Sequence, residues 1–150
     1  METLQKKVKL IPVGIAVDDR GTLAFNNAFD MTEVKRFYHV ANHQSGFVRA
    51  WHGHKRESKF IYVVKGAALI ASVRVDDWDN PDPDSPVERH VLSQHQPNIL
   101  FVPGGYAHGY KTLVQDTVVM FFSTSSLEES AQDDFRFDVN YWKPWEILER

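Results

Sequence analysis

The chain has no cysteine among its 150 residues. Disulfides and thiolate metal sites are therefore excluded, and a reducing compartment is permitted. An excess of one charge is missing too: 17 Lys and Arg stand against 20 Asp and Glu, a net charge of -3. Such a chain has no field to gather nucleic acid or an anionic membrane, so any phosphate must be met by local Arg or Lys. No apolar run reaches the length of a membrane span. The opening stretch METLQKKVKLIPVGIAV lacks the long apolar core and small-residue cleavage site of a signal peptide. A cytoplasmic location is the expectation. Internal repeats and low-complexity tracts are also absent.

What is present is a globular composition, 43% hydrophobic and 25% charged, in a chain long enough for one domain over residues 1–150 with a real core. Apolar residues recur mainly with period two. In AALIASVRV, residues Ala67, Leu69, Ala71, Val73 and Val75 fall on one face, as in a half-buried strand. KVKLIPV, VKRFYHV, FVRAW, KFIYVV, VERHVL, NILFVP, YKTLV and TVVMFFS are similar short runs, separated by turn-rich pieces such as DDRG and NHQSG. The insertion DDWDNPDPDSP (76–86) reads as a solvated hairpin loop, because its prolines and spacing do not fit a calcium loop. SLEESAQDD suits a short helix capped by Ser126. The aromatic tail FRFDVNYWKPWEI is expected to fold back on the body or on a second subunit. Eight to ten short strands in one domain indicate a sandwich or jelly roll.

The densest chemistry lies in RAWHGHKRESKFIYVVKG, residues 49–66. Five residues separate Gly46 from His52, one separates His52 from His54, four lead to Lys59 and six to Gly66. Further on, PGGYAH supplies Pro103, Gly105 and His108. His52 and His54 have three readings: metal ligands, a proton-transfer pair, or packing. Burying two histidines merely to fill a core is costly, since each needs a partner. A neutral imidazole is suited to general-base work near pH 7, with an ordinary pKa of ~6.5. A nearby cation would stabilise the enolate formed when a proton leaves the carbon beside a ketone.

The two motifs together resemble those of the cupin superfamily. The resemblance implies an all-β fold, a cupin jelly-roll β-barrel (double-stranded β-helix), here with a short C-terminal helical segment. Metal-binding cupins carry a glutamate where this chain has Lys59, and an ammonium repels a divalent ion. The proton-transfer reading therefore expects no metal and no cofactor. A metal-dependent, dioxygenase-like cupin stays open as an alternative. It would use His52, His54, His108 and Glu57, the last of the same strand parity as Lys59.

More narrowly, the stretch from about Asp18 to Trp142 resembles the sugar-nucleotide cupins: the dTDP-4-dehydrorhamnose 3,5-epimerases and the related dTDP-sugar 3,4-ketoisomerases. DDRG with Arg20, and Arg49 followed by His52, match their arginine elements. The resemblance implies that Arg20 and Arg49 take the nucleotide diphosphate, with His52 the base and Lys59 steadying the enolate. It also implies His108 in substrate binding, a nucleotide-sugar partner and a homodimer. Lys59 and VPGGYAHGYKTL favour the epimerases. VKRFYHV, which places Tyr38, and the HGH pair favour the ketoisomerases. The epimerase tyrosine would fall near Phe122, which has no hydroxyl, and its aspartate partner for the histidine would fall beyond the end of this chain. His54 and Tyr38 are the leading replacement acids, while Tyr62, Tyr106 and Tyr110 fit packing better. Trp51, with Phe47 and Tyr141, is a candidate for stacking the nucleotide base. A non-catalytic nucleotide-sugar binder is the third class left open.

Overall fold

The computed structural model describes residues 6–150; the first five residues of the stretch read for a leader lie outside them. Two antiparallel five-stranded sheets face one another. The strands are β1 (Lys9–Pro12), β2 (Gly14–Asp18), β3 (Gly21–Phe25), β4 (Arg36–Ala41), β5 (Val48–His54) and β6 (Lys59–Lys65). They continue with β7 (Ala67–Arg74), β8 (Val87–Ser93), β9 (Asn98–Val102), β10 (Tyr106–Thr112), β11 (Val118–Ser123) and the short β12 (Phe135–Arg136). One sheet runs β1-β9-β6-β11-β4 and the other β12-β5-β10-β7-β8, while β2 and β3 form a separate hairpin. Neighbours in each sheet come from distant parts of the chain, as a jelly roll requires. The period-two runs all became strands, whereas β2, β3 and β12 lay outside them.

One core fills the space between the sheets, with Ile61, Val63, Ile70, Leu100 and Val119 at its centre. A second lies on the outer face of the β5-containing sheet. There Trp51, Leu69, Ala71 and Val73 are covered by Trp142 and Trp145 of the returning tail. Strand β7 is therefore buried on both faces from Ala68 to Val73, not half-buried as its alternation implied. Both residue sets along it are apolar or small, and the tail covers the second one. The tail folding back on the body is as expected.

The single helix among the described residues, α1 (Leu127–Ala131), starts at Ser126, whose hydroxyl accepts from the Glu129 amide while the Glu129 side chain accepts from the Ser126 amide. This reciprocal pairing satisfies two otherwise orphan donors. Gly66 and Gly105 of the two motifs have φ of 87° and 94°, a region most side chains avoid. At Gly66 an added Cβ would also lie 2.2 Å from the Thr117 hydroxyl. Both glycines sit just before a strand, so their chain reversals fix where β7 and β10 begin.

Candidate active site

Between the two sheets, at the end away from the apolar centre, lies a cavity of about 580 Å³. Strand parity decides what faces it. On β5, His52 and His54 point in, so the intervening Gly53 and the preceding Trp51 point out. On β10 the inward pair is His108 and Tyr110, on β4 Arg36 and Tyr38, on β6 Lys59, and on β11 Phe121. Arg49 is three residues from His52 and should face outward by simple alternation. It lines the cavity because the pairing slips: His108 opposes His52 while Tyr110 opposes Arg49. Three steps on β5 thus match two on β10, and this bulge restores Arg49 to the inner face.

The side chains divide by sheet. His52, His54, His108, Tyr110 and Arg49 come from β5 and β10; Arg36, Tyr38, Lys59 and Phe121 come from β4, β6 and β11 of the facing sheet. A flat molecule between them meets imidazoles on one side and an amine with a phenol on the other.

His52 is half-buried and lines the cavity. Burial, then the positive charges of Arg136 and His54, hold its pKa down at about 4 against the opposing pull of Asp134. It is therefore a neutral, proton-accepting imidazole at pH 7. Asp134 lies in the cavity wall and bonds Arg136 at 2.7 Å, so a carboxylate stands near His52 within the chain after all. His108 is 4% exposed, and neither ring nitrogen has a protein partner among the described residues. Burial first, and then Lys59 and the other two histidines, push its pKa well down. A neutral imidazole with both nitrogens unengaged can serve a ligand hydroxyl or carbonyl.

His54 is oriented by the chain itself. Its Nδ1 lies 2.7 Å from the Asp133 carbonyl oxygen, which can only accept, so Nδ1 carries a proton and Nε2 faces inward. The Asp133 carboxylate in turn accepts from three successive backbone amides, those of Lys55 (2.8 Å), Arg56 (2.9 Å) and Glu57 (2.9 Å). Burial raises its pKa, but these amides more than offset that and hold it below the usual range. Arg36 is anchored by the Ser125 carbonyl and the Ser130 hydroxyl.

Lys59, 3% exposed, lies 2.5 Å from the Glu57 carboxylate and donates to the Tyr38 hydroxyl at 2.9 Å. The Glu57 side chain is fully buried. Burial alone would raise its pKa; Lys59 and Ser130 overcome this and keep it ionised. The alternative ligand set of His52, His54, Glu57 and His108 does not converge. Among the described residues no three His, Asp or Glu side chains are arranged to hold a metal ion, and the Glu57 oxygen that would ligate faces the Lys59 ammonium.

Three expectations need correction. Trp51 is completely buried against Trp142 and Trp145 in the outer core. It cannot stack a base in the cavity, because adjacent strand residues face opposite ways. Arg20 lies at the β2–β3 turn, with an 86% exposed side chain bound to Asp18 at 2.6 Å, and the chain does not bring it to the cavity. On β11, Phe121 is the inward residue, while Phe122 lies outside against Phe29 and Phe37. Neither has a hydroxyl, but Tyr38 stacks on Phe121 with ring centres 4.9 Å apart. Of the other stacking candidates, Phe47 is 49% exposed, and the Tyr141 hydroxyl is committed to the Pro81 carbonyl. Arg36, Asp133, Asp134, Ser130 and Arg136 went unnoticed in the sequence. Apart from the Asp134–Arg136 pair, their neighbours in space lie far away along the chain, and no local motif marks them.

Residues 3–144 match the family model described as dTDP-4-dehydrorhamnose 3,5-epimerase. The chain belongs to this family. A dTDP-4-dehydrorhamnose 3,5-epimerase from Bacillus anthracis, solved with TDP and PPi bound, is 25% identical. That match covers 99% of this chain and 90% of that one, with a TM-score of 0.75. A sugar 3,4-ketoisomerase from Thermoanaerobacterium thermosaccharolyticum in complex with TDP shares the fold at 19% identity. It covers 89% of this chain and 90% of that one, with a TM-score of 0.67. The spore coat polysaccharide biosynthesis protein SpsL of Bacillus subtilis (strain 168) is 24% identical over 132 residues, 86% of this chain and 82% of that protein. Members of this family are isomerases, and the jelly-roll expectation holds.

Proposed function

We propose that the chain isomerises a 4-keto-6-deoxyhexose carried on a nucleoside diphosphate, with dTDP the first candidate, in deoxysugar or surface-polysaccharide biosynthesis. Epimerisation at C3, C5 or both is the favoured outcome. One observation carries this reading: a neutral histidine base on one sheet faces an ammonium–phenol pair on the other. His52 removes the proton beside the C4 ketone, and the Lys59 ammonium stabilises the enolate oxygen. A proton delivered from the facing sheet then inverts the carbon. Arg49, exposed at the cavity mouth with Nε given to Asn42 at 2.8 Å, keeps its terminal nitrogens for the diphosphate, where a guanidinium fork is well matched. The TDP in the two solved relatives supports that class of ligand.

The second reading, a 3,4-keto shift, is favoured by His54 and Tyr38 both reaching the cavity. Either could pass a proton between neighbouring carbons through an enediol. We further infer a cytoplasmic homodimer. The β2–β3 hairpin leaves Val17 and Leu23 72% and 62% exposed, and a second copy covering it could carry Arg20 toward the partner's cavity. NMR of dTDP-4-keto-6-deoxyglucose incubated with the protein in deuterated water tests the proposal. Inverted C3 or C5 carrying deuterium is expected, a 3-keto product marks the second reading, and unchanged substrate without deuterium marks a binder.

A further inference from the structure

Glu57 has no part in the reaction just described, yet its carboxylate is completely buried. A buried carboxylate is costly unless it is paired. One oxygen, Oε2, serves three neighbours: Lys59 at 2.5 Å, Arg36 at 3.7 Å and His54 at 3.8 Å. The Lys59 ammonium has three protons. One goes to the Tyr38 oxygen, the Glu57 contact is an ion pair, and the rest of the ammonium is left for the cavity. Because the Tyr38 oxygen already accepts from Lys59, its own O–H is free to turn toward a ligand. A phenolate left at Tyr38 would stand 2.9 Å from the Lys59 ammonium. The other hydroxyl beside Phe121 belongs to Tyr110. It has no partner among the described residues, and burial pushes its pKa up to about 12, so it is a poor acid.

We propose that Glu57 is a positioning residue that holds Lys59 against Tyr38, so that Tyr38 delivers the proton to the enolate face opposite His52. The inference rests on the isomerase reading. In one turnover the C–H bond breaks, its proton goes to His52 and its electron pair to the enolate. A new C–H bond forms on the other face with the Tyr38 proton. Imidazolium and phenolate then reset by proton exchange with solvent through the cavity mouth. Tyr38 thus supplies from β4 the hydroxyl that Phe121 lacks on β11.

The test follows two rates in deuterated water with dTDP-4-keto-6-deoxyglucose: deuterium entry into recovered substrate, and product formation. Tyr38→Phe should continue to exchange while product formation falls roughly a hundredfold or more, the usual scale for losing an acid. Glu57→Gln and Glu57→Asp should raise the ratio of exchange to conversion by about tenfold or more. Glu57→Asp keeps the buried charge paired but withdraws it from Lys59, so it reads the effect even if Glu57→Gln does not fold. A wild-type ratio in Glu57→Asp, or equal loss of both rates, overturns the positioning role alone. Neither exchange nor product from the wild-type protein overturns the isomerase reading, and this inference with it.

Discussion

Replacing Asp133 with asparagine should destabilise the fold through a single-atom change at the edge of the cavity. Asp133 is 3% exposed, and its two oxygens accept from three backbone amides. Asparagine keeps an acceptor for one side. Turned to keep the amides of Arg56 and Glu57, it sets its NH2 against the amide of Lys55, donor against donor. Hydrogen bonds to a charged group contribute about 1.5–3 kcal/mol each and neutral ones about 1 kcal/mol less, so losing one and weakening the other two costs about 3–5 kcal/mol. For a chain of this size that lowers the melting temperature by roughly 6–20 °C. Urea unfolding followed by tryptophan fluorescence, with unchanged m, measures it. The pH dependence adds a second check. The folded carboxyl titrates below its unfolded value of ~3.9, so its contribution is complete above that pH. It is lost as pH falls through the folded value, and the gap between variant and wild type should close there. Because these amides also place Glu57, turnover should fall by more than substrate binding weakens. A loss below ~1 kcal/mol would refute the reasoning, since that is no more than one ordinary hydrogen bond.

Other consequences can be read with simple assays. His52 titrates at about 4 in the free protein, so kcat/KM should stay level from neutrality to about pH 5 and fall below it. Its folded pKa lies under its unfolded ~6.5, so the unfolded state binds this proton first and stability declines as pH falls between those values. Trp51→Ala should cost about 3–5 kcal/mol through the cavity it opens, while Trp51→Phe leaves dTDP affinity unchanged by calorimetry; a large affinity loss would restore Trp51 to the binding site. Arg49→Ala should raise the Kd for dTDP about tenfold or more, as removal of a charged hydrogen-bonding group does, with the melting temperature unmoved.

The histidines and Lys59 were legible because period-two alternation and motif spacing are local properties of the chain, and Tyr38 and Arg49 because they match motifs of the sugar-nucleotide cupins. Trp51 was misassigned although the same rule, applied one residue from His52, sends it to the outer core. Arg49 reached the cavity through a bulge that no spacing rule contains. Asp133, Asp134 and Arg136 could not be read at all, since only folding brings the segment after α1 across β5. Glu57 was legible as a buried acid of the right parity, but its partner proved to be Lys59.

The central claim is that His52 takes a proton from carbon. Single-turnover NMR of dTDP-4-keto-6-deoxyglucose in deuterated water, comparing wild type with His52→Asn, tests it most directly. The account predicts deuterium at C3 or C5 with wild type and a rate lower by roughly 10²–10⁴ with the variant. Equal deuterium entry from both proteins would contradict it.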